Sequence, residues 1–135
     1  MGTSEWESTS SVAVDLEGNV FITGWTAGAL GGPFQGWHDA FLAKYDTLGT
    51  LLWTRQWGTT KVDDGSSVTV DATGNVLVSG ATTGAMGGAN QGGYDAFLSK
   101  WDTSGTLLWT EQLGTSADDL SRSVAWGTSG DVFIR

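Results

Sequence analysis

The sequence contains no cysteine, a single proline and only six lysines and arginines. The missing thiols exclude disulfides, thiolate nucleophiles and zinc–thiolate sites, and leave the redox compartment open. Fifteen acidic residues against those six bases give a net charge of −9. Phosphate backbones and anionic membranes are bound by clustered positive charge, so neither nucleic acid nor a membrane surface is an expected partner. No apolar run approaches the roughly 18 residues of a membrane span. Residues 1–15 show no basic start followed by an apolar stretch, so no signal peptide is expected. What the chain does have is glycine (21 residues), tryptophan (8) and 39% hydrophobic residues in a length of 135. That is enough for one folded domain, residues 1–135, with a real core.

The sequence repeats itself. Asp15-Leu16-Glu17-Gly18-Asn19-Val20 returns as Asp71-Ala72-Thr73-Gly74-Asn75-Val76 and, degenerately, as Gly127-Thr128-Ser129-Gly130-Asp131-Val132, each copy 56 residues after the last. Aligned without gaps, residues 2–57 and 58–113 agree at 32 of 56 positions, far beyond chance. A partial third repeat occupies residues 114–135.

Each full repeat reads as four strands. Strand A covers residues 11–15 and 67–71, with a third copy at 123–127; the spacing of Val12 and Val14 suits a pleated strand with one buried face. Strand B covers 19–26 and 75–82, strand C 39–45 and 95–101, strand D 50–57 and 106–113. Asp-x-x-Gly separates A from B and C from D, and this is turn chemistry: Asp bonds nearby amides and Gly accepts positive φ. No segment has a 3.6-residue period, so no substantial helix is expected. A longer glycine-rich loop, residues 24–38 and 80–94, joins B to C. Its glycines at 28, 31, 32 and 36 recur at 84, 87, 88 and 92, which predicts a defined backbone path that uses positive φ. The expected fold is therefore all-β, built of four-stranded antiparallel propeller blades.

Taken in order, Gly-Asn-Val-x-x-(Ser/Thr)-Gly, the Gly-Gly loop, Asp-Ala-Phe-Leu-x-Lys-(Tyr/Trp)-Asp and Gly-Thr-Leu-Leu-Trp-Thr-x-Gln-x-Gly-Thr resemble the bacterial SBBP-type β-propeller repeat. The resemblance spans nearly the whole chain. It implies blades arranged in a ring, a secreted or cell-surface setting and binding roles, and it brings no catalytic residues. The third copy departs from it: Trp126-Gly127 replaces Val14-Asp15 and Val70-Asp71, which predicts a looser A–B turn.

A chain of 135 residues holds about 2.4 repeats of 56, whereas propellers close with roughly four to eight blades. Open blade faces and edges invite association. The expectation is a homo-oligomer of two or three chains, about 4.8 or 7.2 blade equivalents, that completes a ring.

Signs of catalysis are sparse. His38 is the single histidine and its counterpart is Tyr94; no nucleophile-elbow motif is present, so no enzyme is expected. Asp15, Asp46, Asp71 and Asp102 stand at turn starts, and Asp39 and Asp95 are placed to anchor the loop before strand C. Asp63, Asp64, Asp118 and Asp119, with Glu5 and Glu7, cluster in the D–A connection. Calcium favours such oxygens, but their spacing fits neither an EF-hand nor the calcium-binding nonapeptide. No metal or cofactor is assigned.

The tryptophans divide. Trp53 and Trp109 repeat in register and are expected between blades; Trp101 matches Tyr45, Trp57 matches Leu113 and Trp126 matches Val70, all core-like exchanges. Trp6, Trp25 and Trp37 face Val62, Ala81 and Gly93 instead. Trp25 and Trp37 flank the B–C loop near Phe34 and His38, so these four residues form the candidate ligand site. The leading functional reading is a non-catalytic structural or interaction module that self-assembles and presents loops to a protein ligand. The alternative is a lectin-like carbohydrate binder that uses the loop tryptophans.

Overall fold

A computed structural model describes residues 1–127 and 129–135. It is all-β among these residues, with two four-stranded antiparallel meanders and a hairpin. The first blade comprises β1 (Glu7–Val14), β2 (Val20–Thr26), β3 (Asp39–Tyr45) and β4 (Leu51–Trp57), paired in that order. The second comprises β5 (Asp63–Val70), β6 (Val76–Thr82), β7 (Asp95–Trp101) and β8 (Leu107–Leu113). The partial third copy gives β9 (Val124–Trp126) paired with β10 (Val132–Ile134).

Strand A begins four residues before the sequence pattern suggests. A bulge between Thr9 and Ser11, repeated between Gly65 and Ser67, lets the strand run on past the alternating valines. Asp63 and Asp64 are therefore the opening residues of β5 and not part of a connecting loop. Gly24 lies opposite Thr9 at this bulge, and a side chain there would collide with the Ser8 carbonyl.

The Asp-x-x-Gly turns are built alike. Asp15 Oδ1 accepts from the Glu17 and Asn19 amides, and Asp46 Oδ1 from those of Leu48 and Thr50. Gly18, Gly49, Gly74, Gly105 and Gly130 close the turns at φ between 83° and 90°. The third A–B turn keeps the same backbone bonds, Gly127 N to Asp131 O at 2.7 Å and Gly130 N to Gly127 O at 3.0 Å. It lacks only the carboxylate, so the expected loosening is a loss of side-chain bonds and not of the turn. Thr128 lies outside the described residues.

Blades stack face to face, with β1 and β2 of the first against β5 of the second. Phe21, Ala40, Leu42 and Trp57 from the first blade meet Val68, Val76, Val78, Phe97 and Trp101 from the second. Trp57 sets its ring 4.8 Å from Trp101 and edge-on to Phe97 at 6.3 Å. Two of the six cations serve this junction: Lys44 Nζ donates to Thr103, and Arg55 reaches the carbonyls of Ser104 and Gly105. Trp53 packs on the same core, whereas Trp109 is 37% exposed. Trp109 lies on the far face of the second blade, where β9 packs chiefly on β5 and β6.

Candidate functional site

The B–C loops are held by a side-chain clamp that recurs in both blades. Gln56 Oε1 accepts from the amides of Leu30 and Gly31, and its Nε2 donates to Gly28 O and Asp39 Oδ2. Gln112 does the same for Met86, Gly87, Gly84 and Asp95. Asp39 and Asp95 also accept from the amides of Gln35 and Gln91, so they anchor the loop as their position suggests. The loop glycines do not use positive φ. They allow close approach instead: a Cβ on Gly36 would strike the backbone of residues 59–61, and one on Gly92 the backbone of residues 115–117.

A second carboxylate motif joins successive repeats. Thr3 N, Thr59 N and Thr115 N donate to Glu7, Asp63 and Asp119 respectively. Asp63 is fully buried and also accepts from the Thr82 hydroxyl. Burial pushes its carboxyl above the ordinary value, and the Asp39 charge adds to the rise. Gly58 runs between these two acids; a side chain there would meet Asp39 Oδ1 and Asp63 Oδ2. Among the described residues no three His, Asp or Glu side chains gather as a metal cluster.

Of the four candidate binding residues, the structure brings two together. The Trp25 indole stacks on His38 with centroids 3.9 Å apart and an interplanar angle of 11°. His38 Nδ1 lies 3.0 Å from Asp64 Oδ1, and its carbonyl accepts from Asp63 N. Trp25, His38 and Asp64 thus rivet the first B–C loop to β5 of the next blade. Trp37 and Phe34 stand apart in solvent, 75% and 41% exposed.

The sequence did not point to Ala81, Tyr94, Leu120, Ser121 and Arg122, which with Asp64 line a cavity of about 410 Å³ between the second blade and the segment before β9. Its signal was the Trp25–Ala81 difference, which draws attention to the larger residue and away from the space the smaller one leaves. A smaller cavity, about 280 Å³, opens between the A–B turns and is lined by Asp15, Glu17, Asp71 and Thr73. Asp15 and Asp71 in this lining are already engaged with backbone amides of their turns.

Residues 8–32 match the family model of the SBBP beta-propeller repeat. The Regulatory protein FlaEY of Caulobacter vibrioides is 32% identical over 113 residues, covering 77% of this chain and 12% of that protein. A crystal structure of a protein of unknown function from Bacteroides caccae aligns with 99% of this chain and 40% of its own, at a TM-score of 0.59 and 12% identity. That likeness shows the fold alone. The chain spans about an eighth of the curated relative and two fifths of the solved one.

Proposed function

We propose that this chain is a non-catalytic interaction module whose open blade faces are assembly surfaces, closed in the 135-residue chain by further copies of itself. The observation that carries the reading is the fate of one valine in three copies. Val68 is 5% exposed and Val124 6%, each covered by the blade before it, while Val12 is 62% exposed. Val14, also on that leading face, is 60% exposed. At the other end Trp109, Leu113 and Phe133 are open. One face is the shape of a following blade and the other of a preceding one, so head-to-tail packing reuses the internal junction. His38 is spent on the rivet with Trp25 and Asp64, which favours structure over catalysis for the single histidine.

Light scattering at micromolar concentration tests this. The expected mass is two or three times the 14.1 kDa of the chain, falling to one chain in Val12→Asp. A stable monomer of the unaltered protein overturns it. The lectin-like reading keeps one observation in its favour, the exposure of Trp37 and Phe34. It expects sugar-dependent fluorescence quenching that vanishes in Trp37→Ala.

A further inference from the structure

The two blade junctions are built on one plan and differ at one place. In the first, three residues fill the space beside the B–C loop: Trp25 stacks on His38, and His38 pairs with Asp64. One 56-residue step later the same positions hold Ala81, Tyr94 and Leu120. The ring is gone, and the 410 Å³ cavity lies there, lined by all three.

We infer that this cavity is a binding site for a free planar aromatic compound that carries a ring N–H or hydroxyl. The volume lies in the range of small-molecule pockets. The first junction shows what this geometry accepts, because the protein's own indole occupies it. Tyr94, half-buried, takes the place of His38 as the stacking wall, and Ala81 and Leu120 supply apolar surface. The Ser121 hydroxyl supplies polar recognition. Ser121 is 3% exposed, and its Oγ has no hydrogen-bond partner among the described residues. A buried hydroxyl left unpaired is costly, and a turn about χ1 toward the lining brings it to a ring donor held in the cavity. Arg122 and Asp64 both belong to the lining, so the site carries no single sign of charge. The inference does not rest on the assembly reading, and native mass and ligand binding report on the two separately.

Indole is the probe, titrated against the full chain by calorimetry and ligand-observed NMR. Saturable one-site binding is expected. Ala81→Trp, which installs the plug of the first junction, is expected to weaken it more than tenfold. Tyr94→Ala weakens it severalfold and serves where Ala81→Trp does not fold. Ser121→Ala weakens indole but leaves benzothiophene, the ring without N–H, unchanged. Trp37→Ala leaves indole binding intact. No saturable binding, or affinity unchanged in both the Ala81 and Tyr94 variants with native melting curves, overturns the inference. A native mass that falls as indole is added also overturns it, since the ring would then belong to a neighbouring chain.

Discussion

Val12 and Val68 occupy one position in two copies of one repeat, yet the first is 62% exposed and the second 5%. Trp57 and Leu113 form a similar pair at the end of the outer strands, 9% and 58% exposed. Strand pairing is the same in both blades, down to the bulges. The repeat therefore specifies each blade's backbone by itself, while burial is conferred by the neighbour. Stability resides in the junction, and Val12 and Leu113 stand on the two faces that no blade of this chain covers. This contrast makes a residue's position along the stack a stronger guide to its energetic weight than its chemical type.

The sharpest way to break the comparison is to truncate the paired outer-strand residues. Trp57→Ala removes a ring that touches both Trp101 and Phe97, and an expected cost of about 3–5 kcal/mol follows from losing a buried aromatic. Leu113→Ala at the matching place is expected to cost less than about 1 kcal/mol, because the leucine is already half in water. Urea denaturation of the two variants decides it. Equal losses would show that the far face of the second blade is covered in solution.

Next in size is the loop clamp. Gln56→Ala frees the amides of Leu30 and Gly31 and takes one bond each from Gly28 O and the Oδ2 of buried Asp39, which keeps the Gln35 amide. The expected loss is about 2–3 kcal/mol, from unsatisfied buried groups, with faster amide exchange at Leu30 and Gly31. Gln112→Ala is expected to behave alike, since the clamp is internal to its blade. A large difference between the two would mean that loops, too, depend on their neighbours.

Much of this architecture was legible in the sequence, and the reason is local. Asp-x-x-Gly turns and alternating strands are decided by residues a few positions apart, so β3 and β7 fall where the pattern puts them. What escaped depends on contacts between repeats. The early start of β1 needs Gly24 across the bulge, and the loop glycines answer to residues some 25 positions away, as Gly36 does to residues 59–61. At the candidate site, Trp25 and His38 flank one loop in the sequence and stack in the structure, while Asp64, which the sequence pattern puts in a connection, joins them from β5. The cavity at Ala81 was hidden because a void is written in no residue's chemistry.

Valine truncation tests the same contrast more gently. Val68→Ala deletes two buried methyls, an expected cost of about 1.5–2 kcal/mol. Val12→Ala is expected to cost under about 0.5 kcal/mol in the dilute monomer, and to match Val68→Ala only at concentrations where chains associate. A concentration-independent difference between the two variants, measured by thermal unfolding over a hundredfold dilution, would leave the leading face of the first blade free in solution.

The smallest effect expected concerns acids, and it too separates surface from junction. Asp46 and Asp102 are held below the ordinary carboxylate value, chiefly by the amides of Thr50 and Thr106. A depressed folded value contributes stability above the unfolded value of about 4 and loses it as pH falls below that. Asp63 is raised, chiefly by burial in the junction. Its contribution has the opposite sign: it is fully present below about pH 4 and is lost as pH rises through the folded value. Stability should therefore climb as pH increases toward about 4 and then decline slightly above it. Asp63→Asn keeps an acceptor oxygen for the Thr59 amide and removes the charge, so the decline should vanish while the acid limb stays. An Asp63→Asn profile that parallels the unaltered protein across both limbs would show that Asp63 ionises in the junction without cost, and that the blade interface admits water at that carboxylate.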